Sequence, residues 1–325
     1  MEQRALGRTG LQVSRLGLGT MTWGRDTDEH EARDQLTAFL DAGGSLVDTA
    51  DVYADGRSEE IVGQLLADTG RRDDVVLATK AVSVHNDRRV DASRHHLLTA
   101  LDASLKRLQV DHIDLWQMHA WDPATPLDET LAALASAVSS GKVRYVGVSN
   151  YSGWQTAQAA TLQRLLAPYA PLVSTQVEYS LLERRVEREV VVAAEKLGMG
   201  VLPWSPLGRG VLTGKYRHGT PADSRSASAH FTNFVAAYMG DEPRRVVDAV
   251  CTAADGLGVA PLEVALAWLR DRPGVTAPIV GARTAGQLLG ILESEDLTLP
   301  AEIADALEDV SRPEFGYPDH GWAQR

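Results

Sequence analysis

Eight short runs, apolar on both faces, alternate with stretches of helical periodicity along one chain of 325 residues. Strands that are apolar on both faces belong to parallel sheets covered by helices on each side. The spacing stays regular from end to end, and several of the runs finish in polar groups. Together these observations predict an α/β protein: a closed eight-stranded parallel barrel ringed by helices, (β/α)8, as a single domain over residues 1–325. An open doubly wound sheet is the competing architecture.

The elements follow in order. "RALGRTGLQVSRLGLG" carries turn residues from Gly7 to Gly10 and predicts a short N-terminal hairpin that closes the barrel bottom. "LGLGT" (16–20) is the first barrel strand, before a helix near 28–42. "SLVDTA" (45–50) and "VVLATK" (75–80) come next, then a helical segment over 91–109 and "IDLWQMH" (113–119). In "LDETLAALASAVSSGK" (127–142), Leu127, Leu131, Leu134, Ala135 and Val138 share one face, and Gly141 suits a helix end. "VRYVGVS" (143–149), "LVSTQV" (172–177), "GVLPWS" (200–205) and "APIVGA" (277–282) complete the set. One connection breaks the rhythm: from Gly208 to about Ala260, after the seventh strand, the chain is rich in small and polar residues. A loop of that length in a compact domain points to function. It reads as a flap over a ligand, with a short helix near 241–256.

Composition narrows the function. Lys and Arg number 32 against 44 Asp and Glu, a net charge of -12, which argues against nucleic acid or an anionic membrane as partner. A single cysteine allows no internal disulfide. No apolar run reaches the roughly 18 residues of a membrane span, and the start lacks a secretory pattern, so a cytoplasmic protein is expected. A monomer is the expected state.

The polar strand ends carry the chemistry. Asp48, Lys80, His119, Ser149, Gln176 and Ser205 lie at or near carboxyl ends of predicted strands, and in a barrel those ends form the rim of one site. Singly, each has a structural reading: Asp48 as an Asx-turn acceptor, Lys80 as a strand end meeting water, His119 as a satisfied rim histidine. Jointly, from three successive strands, they read as a site. A phenol titrates near 10, too high for an efficient proton shuttle at neutral pH, and a neighbouring ammonium favours the phenolate. Asp48, Lys80 and Tyr53 thus make a proton-donating relay, with His119 a neutral hydrogen-bond donor to a substrate oxygen. A carboxylate is tolerated on an apolar strand because Lys80 pairs with it.

Beyond these residues the chain resembles the aldo-keto reductases over nearly its whole length. The blocks are "LGRTGLQVSRLGLGTMTWG", "LVDTADVYADGRSEEIVG", "VVLATK", "VRYVGVSN", "WSPLGRGVLTGKY" and "PIVGARTAGQL", in family order. The likeness is to the bacterial branch with a long seventh loop, similar to potassium-channel beta-subunit-like reductases. It implies a TIM barrel that uses a nicotinamide cofactor without a Rossmann fold, and a catalytic tetrad at Asp48, Tyr53, Lys80 and His119. It implies further that Ser149, Asn150 and Gln176 hold the carboxamide of the nicotinamide while Trp204 stacks on its ring. Ser205, Leu207, Gly210 and Lys215 match the segment around the pyrophosphate. Gly281, Arg283 and Gln287 match the segment that meets the adenosine phosphate. Arg283 favours NADPH over NADH, because a guanidinium suits a doubly charged phosphate. Arg209, Lys215 and Arg217 extend a local basic pocket. The sequence departs from the family at Gly290 and Ile291, where a Glu-Asn pair often contacts adenine; Glu293 lies nearby. Trp23 and Trp121 are candidates for the substrate opening, with loop packing the competing reading of each.

Other motifs fall away. "GLGT" at 17–20 lacks the third glycine of a dinucleotide fingerprint, and "GRGVLTGKY" is too short for a phosphate loop. His95 and His96 are adjacent, so they do not share a metal as i,i+4 ligands do, and no metal is expected. The expected function is NADPH-dependent reduction of a carbonyl, on an aldehyde, ketone or sugar. The rivals are Schiff-base chemistry at Lys80, disfavoured because an ion-paired lysine is a poor nucleophile, and a cofactor-sensing accessory subunit with weak turnover.

Overall fold

The structure is a computed structural model that describes residues 1–82, 90–217 and 235–317. Strands β1 (Gln3–Ala5) and β2 (Gln12–Ser14) pair antiparallel as the predicted hairpin. Eight further strands close into a parallel barrel: β3 (Gly17–Gly19), β4 (Leu46–Asp48), β5 (Val76–Ala81), β6 (Ile113–Met118), β7 (Val143–Ser149), β8 (Leu172–Glu178), β9 (Gly200–Trp204) and β10 (Ile279–Val280). They run round the barrel in chain order, with β10 closing between β9 and β3. Helices alternate with them: α1 (Glu29–Asp41), α2 (Arg57–Thr69), α3 (Arg94–Leu108), α4 (Leu127–Ser139), α5 (Gly153–Leu166), α6 (Val190–Leu197), α7 (Asp241–Leu257), α8 (Pro261–Arg270), α9 (Ala285–Leu292) and α10 (Ala301–Val310).

The alternation of side chains divides the apolar residues into two cores. Leu46, Ala78, Leu115, Leu202 and Ile279 fill the barrel interior, and Leu6 and Val13 of the hairpin pack onto them from below. Val47, Leu77, Trp116, Val146 and Val177 point outward against the helices. Each buried aliphatic side chain contributes about 1.5–3 kcal/mol, so this double use of every strand supplies most of the folding drive. The hairpin needs Gly7: its φ is +59°, and an added Cβ would lie 2.5 Å from the carbonyl oxygen of Gly198. The face expected on α4 is the face it buries, with Leu131, Leu134 and Ala135 inside and Leu127 and Val138 half-buried; Gly141, at φ +76°, follows its end.

Strand lengths differ from expectation, and β4 keeps three of the six residues of 45–50. The last barrel strand is two residues long rather than six, because Pro278 has no N–H to give to the ladder and β10 meets β9 at a single pair, Ile279 with Trp204. The helix expected near 241–256 is present as Asp241–Leu257, packed on α8 and capped by Gly258. The flap expected within 208–260 falls largely on residues 218–234, outside the described residues.

Register sets the site. Asp48 pairs with Ala78, Lys80 with Gln117, Ser149 with Gln176 and Glu178 with Trp204. The polar groups therefore reach one end of the barrel at similar heights.

Candidate active site

Lys80 is fully buried, and its ammonium donates to Asp48 Oδ2 at 2.6 Å, the Thr49 carbonyl at 2.9 Å and the Tyr53 hydroxyl at 3.4 Å. Three donors thus meet three oxygens, which is what a buried ammonium requires. Tyr53 reaches Lys80 because the chain turns sharply after β4. Ala54 and Asp55 sit at φ +47° and +55°, and Tyr53 N–H closes the turn on the Ala50 carbonyl at 3.2 Å. Asp48 uses its other oxygen, Oδ1, to accept from Gln176 Nε2 at 2.9 Å.

His119 follows β6, with its N–H on the Ala81 carbonyl at 2.8 Å. Its ring stands edge-on to Tyr53, centroids 5.9 Å apart and planes at 80°. Burial, reinforced by the Lys80 charge, depresses the imidazole from 6.5 to about 3, so the ring is neutral at physiological pH. A neutral imidazole donates one hydrogen bond and carries no charge. Lys80 shows the opposite balance. Burial is the largest effect and works against its charge, but Asp48 and Tyr53 together outweigh it and hold its titration above the usual lysine value.

The expectation for Tyr53 needs correction. Lys80 does favour the phenolate, but burial is the larger effect and Asp48 adds to it, so the phenol titrates above its ordinary value rather than below. Tyr53 is a protonated donor poised beside a cation, not a lowered acid.

Asn150, in the left-handed region at φ +57°, links two parts of the rim. Its Nδ2 donates to the His119 carbonyl at 2.9 Å, and its Oδ1 accepts from Trp204 Nε1 at 2.9 Å. Ser149 Oγ donates to the Gln176 carbonyl at 2.9 Å. Asp48, Tyr53, His119, Ser149, Asn150, Gln176, Trp204, Ser205, Leu207, Gly210 and Gly281 all line one cavity of about 350 Å³, at the lower end of the range for small-molecule sites.

Other expected residues lie off that lining. Lys215 is exposed, but its Nζ comes close to Gly210: a Cβ added there would meet it at 3.4 Å. Gln287 turns back on its own segment and accepts from Arg283 N–H at 3.0 Å, while Thr27 holds the Arg283 carbonyl. Trp23 does not reach the opening: it is wholly buried, and its indole N–H donates to Gln35 Oε1 under α1. Trp121 stacks edge-on with Tyr151 and Trp154, at 5.2 and 5.4 Å, outside the cavity lining. Loop packing is the observed arrangement for both tryptophans. Two of the arginines expected in the basic pocket carry ion pairs, Arg209 with Glu178 and Arg217 with Asp248. At the position where the family often has adenine contacts, Ile291 is buried in the core.

Residues the sequence reading did not single out also stand here. Met21, Thr22 and Val280 line the cavity. Glu31, which reads as an ordinary acid in a first helical turn, reaches across and accepts from Ala285 N–H at 2.7 Å, at the start of α9. Glu178 and Tyr238 meet at Arg209, joined only by tertiary contact.

A barrel with a buried carboxylate–lysine–tyrosine chain opening on a histidine and an indole has the organisation of an oxidoreductase site. Comparison with known proteins agrees. A model described as the Aldo/keto reductase family matches residues 15–312. The chain is 42% identical over 323 residues to the uncharacterized oxidoreductase YrpG of Bacillus subtilis, covering 95% of this chain and 96% of the relative. It is 38% identical over 319 residues to a probable voltage-gated potassium channel subunit beta of Oryza sativa, with coverage of 95% and 96%. It is 34% identical over 333 residues to the aldo-keto reductase YhdN of Bacillus subtilis, covering 98% of each. The chain belongs to the aldo/keto reductase family and is an oxidoreductase.

Proposed function

We propose that this oxidoreductase reduces the carbonyl of an aldehyde, ketone or sugar to an alcohol with NADPH, and that Tyr53 is the proton donor. The observation that carries the reading is the buried Lys80 ammonium, held between Asp48 and the Tyr53 hydroxyl with a neutral imidazole across the phenol.

The residues present fit a nicotinamide dinucleotide. Ser149, Asn150 and Gln176 bring a hydroxyl and two amides to one cavity, the donor and acceptor set a carboxamide needs. Trp204, fixed by its hydrogen bond to Asn150, offers a flat apolar face to an aromatic ring. Gly210, at φ +90°, lets backbone approach a ligand closely. Lys215 and Arg283 supply positive charge for phosphates, and Arg283 is the basis for preferring NADPH.

When bound, the dinucleotide supplies the hydride that the carbonyl carbon receives. The chain's own residues do the rest. The His119 N–H orients the carbonyl oxygen, and Tyr53 delivers its proton to that oxygen as it becomes the alcohol. Lys80 steadies the phenolate left behind, and Asp48 keeps Lys80 charged and in place. Most of the gain comes from positioning and from donors already aimed where charge develops.

The test is NADPH oxidation against a broad panel of aldehydes, ketones and sugars, with Tyr53→Phe alongside. Tyr53→Phe lowers turnover about 10²- to 10⁴-fold, the range for losing a general acid, and leaves NADPH affinity intact. Equal loss of affinity and turnover in a folded variant would refute the role given to Tyr53. The relatives named as probable channel subunits in Oryza sativa and Arabidopsis thaliana favour a second reading, a cofactor-sensing accessory subunit. Tight NADPH binding without turnover across the panel selects it.

A further inference from the structure

Among the described residues, Arg209 is the sole lysine or arginine in the cavity lining. Its surroundings are unusually complete. Nε and Nη2 donate to the two carboxylate oxygens of Glu178 at 2.8 and 2.6 Å, a fork-to-fork pair. The hydroxyl of Tyr238 donates to the same carboxylate at 3.0 Å. The guanidinium carbon lies 5.0 Å from the Tyr238 ring and 6.0 Å from the Trp204 ring, so both aromatics flank the cation. Arg209 and Glu178 side chains are each only 15% exposed, which limits screening of the pair.

The backbone adds to this. Arg209 holds φ +59°, a conformation that a non-glycine residue adopts at a cost, and the contacts just described hold it there. Glu178 pairs directly with Trp204 in the β8–β9 ladder. Tyr238 belongs to the segment that leads into α7. Three separated parts of the chain thus converge on one cation at the cavity wall, beside the indole and between Leu207 and Gly210.

We propose that Glu178 and Tyr238 are positioning residues: they hold Arg209 against Trp204 so that its guanidinium engages the diphosphate of the bound dinucleotide, and they set how long the cofactor stays. This rests on the nicotinamide reading above. Neither residue touches the reacting atoms. Glu178 fixes the plane of the guanidinium through two of its five N–H donors, and Tyr238 fixes Glu178. Loss of either frees the arginine to sample rotamers that no longer meet the ligand.

The experiment is stopped-flow release of NADPH from the full-length protein, with thermal melting to verify folding. The variants are Tyr238→Phe, Glu178→Gln, Arg209→Ala and the double variant Arg209→Ala/Tyr238→Phe. Tyr238→Phe is expected to release NADPH about three- to tenfold faster at an unchanged melting temperature, the scale on which loss of one ordinary hydrogen bond acts. Glu178→Gln is expected to exceed it. With Arg209 removed, Tyr238→Phe is expected to change release by less than about twofold, because coupled residues do not add. Wild-type release rates in both Tyr238→Phe and Glu178→Gln, or a Tyr238→Phe effect that persists without Arg209, overturn the proposal and leave the nicotinamide reading standing. Failure of the wild type to bind either NADPH or NADH overturns both.

Discussion

Replacing Asp48 by Asn tests the centre of the site. The substitution keeps the shape of the side chain but puts an amide where a carboxylate meets Lys80 at 2.6 Å and Gln176 at 2.9 Å. Lys80 and Asp48 side chains are 0% and 3% exposed, so water does not replace the lost partner. Breaking a buried ion pair from one side costs about 3–5 kcal/mol. The pH dependence carries a sharper signature. In the wild type, Lys80 titrates above 10.5, so its stabilising contribution is intact below that value and is lost only as pH rises through the raised one. It adds no slope between pH 7 and 9. Without Asp48, burial prevails and the lysine titrates below 10.5 in the fold. The unfolded chain then binds a proton that the folded chain gives up, and stability rises with pH, by at most about 1.4 kcal/mol per unit, between the lowered lysine value and 10.5. Urea unfolding of both proteins at a series of pH values measures the loss and the slope. A loss under about 1 kcal/mol, with a slope equal to that of the wild type, would refute the assignment of Lys80 as a charged group dependent on Asp48.

Three further outcomes follow from the same reasoning. His119, lowered from 6.5 to about 3, contributes stability that is lost as pH falls through that interval; His119→Asn removes this acid-side loss, and the imidazole NMR signal stays that of the neutral ring from about pH 8 to 5. Asp51 moves the other way. Burial, with Glu59 adding to it, raises its carboxyl from 3.8 to about 7, and its Oδ1 has no hydrogen-bond partner. Its contribution is present below 3.8 and lost as pH rises to about 7, so Asp51→Asn melts increasingly above the wild type as pH goes from about 4 to 8. Finally, Glu308 of α10 accepts from the buried Arg184 and, at 2.7 Å, from Arg272, two cations that flank the Trp268 ring. Glu308→Ala costs about 2 kcal/mol, the scale of a hydrogen bond to a charged group, and exposes α10 to limited proteolysis before the barrel.

The barrel was legible because its signal is local. Runs such as "VVLATK" and "LVSTQV" are apolar on both faces, and each sits within a residue or two of its observed strand. The meeting of Asp48, Lys80 and His119 at one rim was legible for a related reason. A carboxylate at 48, a lysine at 80 and a histidine at 119 each end an apolar run, and closure of a barrel brings all such ends to one rim. Pairwise geometry needed only the alternation of side chains along a strand.

What the sequence could not carry depends on distances between segments far apart in the chain. Whether a tryptophan after a strand faces the ligand or the core is decided by its neighbours, and Trp23 turned inward because Gln35, twelve residues on, receives its N–H. Whether an arginine offers net charge depends on its counter-ion, and Glu178, 31 residues before Arg209, is that counter-ion only because β8 and β9 are adjacent. The acidity of Tyr53 turned on burial, which composition does not report: the ammonium beside it was foreseen, but removal from water outweighed it. Sequence pattern therefore determined the strands, the barrel and the set of groups at its rim, since each follows from chemistry repeated along the chain. Tertiary structure alone decided which of those groups are charged, which are shielded and which face the cavity, because solvation and ion pairing are properties of the packed whole.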